Sequence, residues 1–579
     1  MQVETLSTLG RTTMDLLNPK KTEFKHLDEK SRNIMKRTIA FFEKKGKNKL
    51  KEDDRNQTWY ADFLEFQKSE KIFATLMTPS GYGESDSRWD TTRICDFNEI
   101  AGFYGLCYWY TWQVSMLGLG PIWNSKNEEI KHKTAKLLLD GEIFAFGLSE
   151  KEHGADLISS DMSLENKGNG NYIANGRKYY IGNSNKAAIV STFGKMKDTG
   201  NYVFFAVNSG HKNYELIQNV VNSQSYVGEY ALKDYPISEK EILSKDREAW
   251  DASLSTIAVC KYNLGWASIG ICTHSFYEAL NHASKRKLFN RNVTDFSQIK
   301  QMFVDAYCRL FSMKLFAARA KDYMRAASAT DRRYLLFNPM VKMKVTMQGE
   351  EVINLLWDVI AAKGFEKNMY FEMAAKDIRG LPKLEGTAHV NMALIIKFMN
   401  NYFFEPNSSL PVIPKIDDFK NDDFLFNQGT TSKGFEKITF RDYNEVYSSV
   451  DLPNVQIFKK QIVVFKEFLK STPPDSKQSK DLDFMLILGE LFTLVAYGQL
   501  LIENAAIEKV DNDLLDQIFD FMVRDFSKYA LQLYSKRSST QDQMEKCLAM
   551  IFKPAENEEL FNRVCTKVYS YKDAYEMAP

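Results

Sequence analysis

At 579 residues the chain is too long for one compact core, and roughly three to five domains follow from its length. Hydrophobic residues at 44% and charged residues at 26% are the proportions of a globular protein in water, which excludes a fibrous or disordered chain. The net charge of +1 is unevenly spread: 55 basic against 48 acidic side chains up to Glu405, and 21 against 27 from Pro406 onward, an acidic tail that argues against a nucleic-acid partner.

The opening MQVETLSTLGRTTMDLL lacks the basic-then-apolar pattern of a leader, so a cytoplasmic location is expected. The apolar stretch from Phe484 to Gly498 is interrupted by Glu490, and no membrane span is expected from it. The 7 cysteines (Cys95, Cys107, Cys260, Cys272, Cys308, Cys547 and Cys565) form no CxxC and no disulfide framework. His274 and His282 are poorly spaced for joint ligation, so no metal is expected.

In chain order, residues 1–142 read as a helical domain: SRNIMKRTIAFFEKK, DFNEIAGFYGLCYWYTWQVSMLG and NEEIKHKTAKLLLDG place apolar residues at helical spacing. Gly118-Leu119-Gly120-Pro121 reads as a turn. Residues 143–246 change to short alternating segments punctuated by Asn169-Gly170 and Asn175-Gly176, the signals of a small β-domain with hairpins. Residues 247–404 return to helical spacing, with helices predicted through Ile257–Arg286, Gln298–Ala327 and Pro339–Ala362 and a last one after Glu385, the pattern of a four-helix bundle. A Pro/Asn/Asp-rich linker covers 405–450, and 451–579 is an additional helical domain whose Phe, Leu and Tyr stripes read as core. The fold class is α+β, mainly α.

Three segments carry chemistry. FAFGLSEKEHGADLISS followed by YIANGRKYYIGNSNKA holds Ser149-Glu150, Ala155-Asp156 and Asn175-Gly176-Arg177-Lys178. SKRKLFNRNVTDFSQIKQMF places Arg286 before Phe289, and AKDIRGLPKLEGTAHVN carries Asp377 and then Glu385-Gly386-Thr387. Singly, these read as a hairpin, a basic helix end and a surface acid. Together, in this order, they resemble the acyl-CoA dehydrogenase superfamily, over roughly Ser80 to Phe404.

That resemblance implies FAD as cofactor and Glu385 as the base that removes the α-proton of an acyl thioester while flavin N5 accepts the β-hydride. It assigns the isoalloxazine ring to Leu148, Ser149, Phe146, Tyr180 and Gly182, and the pyrophosphate side to Ala155. Arg286, Phe289, Asp358, Gly364 and the segment with Thr387 and His389 match positions that complete a cofactor site across a subunit boundary. Lys261 takes the place of an Arg that flanks the thioester. Some positions depart from the family pattern: Gly182 stands for a hydroxyl residue, Ala155 for Ser, Lys376 for Arg, and Ala361-Ala362 for Gly-Gly. The substrate class implied is an acyl-CoA or acyl-carrier-protein thioester, with an electron-transfer flavoprotein as electron partner and a homodimer as assembly. The alternatives are an oxidase that passes electrons to O2, and a flavin-binding relative with a non-dehydrogenase role.

Overall fold

The computed structural model describes residues 14–431 and 434–579. The described residues form two compact units: 23–263 with 417–431 and 577–579, and 264–416 with 14–22 and 434–576.

The first unit opens with helices α1 (Glu29–Lys45), α2 (Lys47–Arg55), α3 (Ala61–Ser69), α4 (Ile72–Met77), α5 (Thr91–Tyr104), α6 (Leu106–Asn124) and α7 (Glu128–Leu139). Side-chain oxygens cap α1, α5 and α7: Asp28, Asp90 and Asn127 accept from backbone amides two or three residues on, which satisfies donors a helix start leaves open. Every residue of α6 from Cys107 to Trp123 is buried.

The turn expected at Gly118–Pro121 is instead the last part of α6. Its glycines serve close approach: a Cβ on Gly118 would lie 2.6 Å from the Ala145 carbonyl oxygen, and one on Gly120 would lie 2.4 Å from Thr256.

Strands β1 (Phe144–Gly147), β2 (Ser163–Gly168), β3 (Asn171–Gly182), β4 (Ile189–Met196), β5 (Tyr202–Val207), β6 (Tyr214–Asn219), β7 (Val227–Ser238) and β8 (Ile242–Lys245) follow, and α8 (Asp246–Cys260) closes the unit. The sheet order is β6-β7-β3-β2-β4-β5-β8, with β1 pairing parallel to β4. Asn169 and Gly170, both at positive φ, turn β2 into β3. Asn175-Gly176, expected as a second turn, is a bulge inside β3, where a side chain at 176 would meet Met162 Cα at 2.9 Å. Part of the linker belongs here too, because the Asp422 carboxylate accepts from the Thr91 amide and hydroxyl, both at 2.7 Å.

The second unit holds α9 (Asn263–Lys285), the ribbon β9 (Lys287–Leu288) and β10 (Arg291–Asn292), α10 (Ser297–Arg325), α11 (Tyr334–Met340), α12 (Thr346–Ile360), α13 (Tyr370–Asp377), α14 (Ala388–Ile395) and α15 (Met399–Phe404). The helix expected through Ile257–Arg286 is broken at Lys261-Tyr262, and the one after Glu385 is divided by a 3-10 turn at Ile396–Phe398. Between α11 and α12 the backbone forms a π turn, Val341–Val345. It follows Pro339, which removes a helical donor and crowds the preceding carbonyl.

After α16 (Tyr443–Tyr447), the extension α17 (Pro453–Ser471), α18 (Leu482–Ile507), α19 (Asn512–Tyr534), α20 (Gln541–Ala549) and α21 (Glu558–Tyr569) packs on the bundle: α18, α19 and α21 lie against α10, and α18 also against α14. Arg309 on α10 forks onto Asp525 of α19 with two bonds of 2.8 Å. Burial works against the Asp525 carboxylate, but the Arg309 guanidinium, with Lys344 and Lys528, outweighs it and holds the carboxyl down to about 2. Gly489 lets α18 approach α14, since a Cβ there would fall 2.4 Å from the Met392 sulfur. By length and composition α18 is long and apolar enough to cross a membrane, Glu490 notwithstanding, and 78% of its most apolar window is buried inside the protein. That burial is what a core helix requires.

Candidate active site

In the first unit, the segment from Phe146 to Glu150 runs off the end of β1 beside β3. Ser149 pairs with Tyr179: its carbonyl accepts from the Tyr179 amide at 3.0 Å and its hydroxyl donates to the Tyr179 carbonyl at 2.6 Å. The Leu148 amide donates to the Phe146 carbonyl at 3.0 Å. Beneath this turn Glu150 and Lys178 form a buried ion pair of 2.7 Å. The Glu150 carboxylate also accepts from the Ser160 hydroxyl (2.6 Å) and from the amides of Asp161 (2.7 Å) and Met162 (3.2 Å). Lys178 donates in addition to the Leu148 carbonyl at 2.9 Å. Burial disfavours the Glu150 carboxylate, but Lys178 and these donors more than offset it and hold its carboxyl below the ordinary value. The Ser-Glu and Asn-Gly-x-Lys elements are therefore two ends of one buried contact that fixes the turn.

A bulge in the β3–β7 ladder between Lys178 and Ile181 lifts Tyr179 and Tyr180 out of register. Tyr180 adopts φ +62° and leaves 60% of its surface exposed. Its ring meets the Tyr179 ring at a centroid distance of 4.7 Å, nearly perpendicular, and the rest of it is open to solvent. At Gly182 a Cβ would lie 2.7 Å from Val114 and 2.8 Å from the Tyr110 ring, so α6 fills the space a hydroxyl residue would need. Ala155 lies on the exposed loop after Glu150, and Lys261, at the C-terminal end of α8, is buried.

The carboxylates of Glu150 and Asp161 and the His153 ring lie within 4.8 Å of one another. Both Glu150 oxygens are already engaged by Lys178, Ser160 and backbone amides, and His153 pairs with Asp161 at 2.7 Å.

In the second unit, Glu385 precedes α14 in a half-buried position and adopts φ +52°, followed by Gly386 at φ +86°. A glutamate in the left-handed region is unusual and stores strain of the kind concentrated at functional positions. Thr387 caps α14, its hydroxyl accepting from the Val390 amide at 3.4 Å. The Asn391 side-chain amide donates to the carbonyls of Gly386 (3.2 Å) and Thr387 (3.0 Å). His389 is exposed on the first turn of α14.

Arg286 follows the last residue of α9, and its carbonyl accepts from the Val293 amide at 2.9 Å, closing the β9–β10 ribbon. At the ribbon tip Phe289 (φ +51°) is 89% exposed. Asp358 is exposed near the end of α12, and Gly364 is buried in the turn that follows. That turn begins at Ala361 with φ +55° and ψ −141°, a conformation suited to glycine. Burial holds the His282 imidazole of α9 below its ordinary value, and the charges of Arg286 and Lys363 add to the effect. The loop before Glu385 is tied to α12, where Lys383 reaches Glu350 at 2.5 Å.

Sequence reasoning passed over Lys342, in the π turn. Its ammonium is fully buried and donates to the carbonyls of Pro382 (2.7 Å) and Gly386 (2.6 Å), on either side of Glu385.

A middle β-domain followed by a helical bundle with a Glu-Gly-Thr turn before its last helix is the fold of acyl-CoA dehydrogenases. Residues 249–400 match the family described as acyl-CoA dehydrogenase, C-terminal domain. Among relatives, the chain is 23% identical to a 3-(aryl)acrylate reductase of Clostridium sporogenes, over 56% of this chain and 86% of that one. It is 24% identical to the caffeyl-CoA reductase-Etf complex subunit CarC of Acetobacterium woodii, over the same shares of 56% and 86%. An acyl-CoA dehydrogenase of Bacillus anthracis, solved in complex with FAD, shares the fold with the extension included, at a TM-score of 0.74 and 15% identity over 97% of this chain and 98% of that one.

Proposed function

We propose that this protein is an FAD-dependent oxidoreductase that introduces an α,β double bond into an acyl thioester, with Glu385 as the base. The observation that carries the reading is the strained Glu385-Gly386 turn, held from several sides at the start of α14 in the segment that matches this family. A carboxylate is suited to take the weakly acidic α-proton, and substrate seated over it excludes water and strengthens it as a base. When bound, FAD supplies the two-electron acceptor that takes the β-hydrogen as hydride.

In this reading the Leu148–Ser149 turn and the exposed Tyr180 ring hold the isoalloxazine, with Phe146 and Gly182 at its margins and Ala155 toward the pyrophosphate. Arg286, Phe289, Asp358, Gly364, Thr387 and His389 act on the cofactor of a second copy. The exposure of the Phe289 ring in the single chain supports this assignment. Lys261 flanks the thioester. An electron-transfer flavoprotein as acceptor is supported by the relative whose name places it in an Etf complex.

Anaerobic titration with acyl-CoA and acyl-carrier-protein thioesters, followed by flavin absorbance, tests the reading. Bleaching by one class identifies the carrier, and rapid reoxidation by air identifies an oxidase. A flavin that no thioester bleaches would leave the non-dehydrogenase alternative.

A further inference from the structure

We infer that Lys342 is a positioning residue that sets the orientation of the Glu385 carboxylate; this deepens the proposed function and rests on Glu385 being the base. Lys342 lies in the π turn between α11 and α12, with its side chain fully buried. An amphipathic helix ordinarily sends lysine to water, and burying an ammonium costs far more than burying a methionine of similar length. The π turn is itself a local departure from regular helix of a kind found at functional sites.

Two of the lysine's hydrogen bonds go to one loop. Lys342 donates to the Pro382 carbonyl at 2.7 Å and the Gly386 carbonyl at 2.6 Å, so two charge-assisted bonds bracket the Lys383–Glu385 segment. Glu385 and Gly386 both sit at positive φ, which an unsupported loop would relax by rotating the peptides that flank them. Fixing the Pro382 carbonyl pins the Pro382–Lys383 peptide and fixing the Gly386 carbonyl pins the Gly386–Thr387 peptide, so the segment that carries the Glu385 carboxylate is held at both ends. Asn391 donates to the same carbonyl from α14, making a second, weaker hold at 3.2 Å. Thr346, one helical turn after Lys342, donates to the Lys342 carbonyl and braces the π turn. The arrangement is a clamp from the π turn and α14 onto the Gly386–Thr387 peptide.

The test compares holoenzyme variants Lys342→Met and Lys342→Gln with the parent and with Glu385→Gln. FAD content, the dissociation constant of a thioester and the anaerobic rate of flavin reduction are measured for each. Lys342→Met is expected to keep FAD and to bind thioester within about threefold, while reduction slows about a hundredfold, the loss a small misplacement of a reacting group brings. Lys342→Gln retains an N–H donor and should recover most of that loss. Asn391→Leu should slow reduction less, and its effect should not add to that of Lys342→Met, since both release the same carbonyl. A Lys342→Met enzyme reducing flavin at the parental rate would overturn the inference. Should Met fail to fold, the Asn391→Leu enzyme decides, and flavin reduction at the parental rate in it would overturn the inference. If Glu385→Gln itself reduces flavin normally, the base assignment fails and this inference fails with it; if Glu385→Gln is dead while Lys342→Met is unaffected, only the clamp is refuted.

Discussion

At the scale of single residues, the motifs that resemble a cofactor signature also do structural work. Glu150 and Lys178 are buried together, so removing one partner leaves a charge without compensation. Lys178→Met should lower stability by about 3–5 kcal/mol, as read from urea unfolding. The Glu150 carboxyl lies below its ordinary value of 4.5 in the folded state. Its stabilising contribution is therefore present above that value and is lost as pH falls through the lower folded one. In Glu150→Gln, this part of the acid dependence should be absent. Ala361 makes the opposite case, since it occupies a conformation that glycine takes without strain. Ala361→Gly should raise stability by about 1 kcal/mol, visible as a higher midpoint in thermal unfolding.

At the scale of elements, the bundle and its extension are joined by a charged seam whose balance depends on pH. Glu490 on α18 is pushed up to about 6, chiefly by burial, with Lys344 pulling the other way. Between its ordinary value of 4.5 and 6 the folded state binds the extra proton, so stability falls as pH rises through this window and stays lower above it. Glu490→Gln should remove that fall, gaining about 1–2 kcal/mol near pH 7 over the parent in matched unfolding curves. A tighter constraint operates at Gly118, where an alanine Cβ would strike the Ala145 backbone. Gly118→Ala should cost about 1–3 kcal/mol, since α6 and β1 must move apart.

The succession of helical, β and helical segments was legible because periods of 3.6 and 2 are written in the apolar spacing. What escaped were glycines with a second use. Gly118, Gly120 and Gly176 look like turn residues in sequence, and only packing reveals that each makes room for a neighbour. The break at Lys261-Tyr262 carries neither Gly nor Pro, so local pattern offered no sign of it. Glu385 was legible from its Gly-Thr context, whereas Lys342 was not, because a lysine within helical spacing reads as a solvated residue until its burial is seen.

At the scale of the whole molecule, the extension covers bundle helices α10 and α14 with its own apolar faces. We propose that this leaves one pairing surface, so that the protein is a homodimer with cofactor sites completed across it. Light scattering on FAD-loaded protein should give the mass of two chains; a mass of four, or a stable FAD-bound monomer, would refute it. A chain ending before Asp451 should aggregate, because the exposed flank of α10 would present buried residues to water.

The central claim is that Glu385 is the base, and the rate of anaerobic flavin reduction in Glu385→Gln tests it most directly. Gln keeps the shape and removes the proton acceptor, so the variant should retain FAD and bind thioester while reduction slows on the order of a thousandfold or more. Reduction at the parental rate in a fully FAD-loaded Glu385→Gln protein would contradict the account.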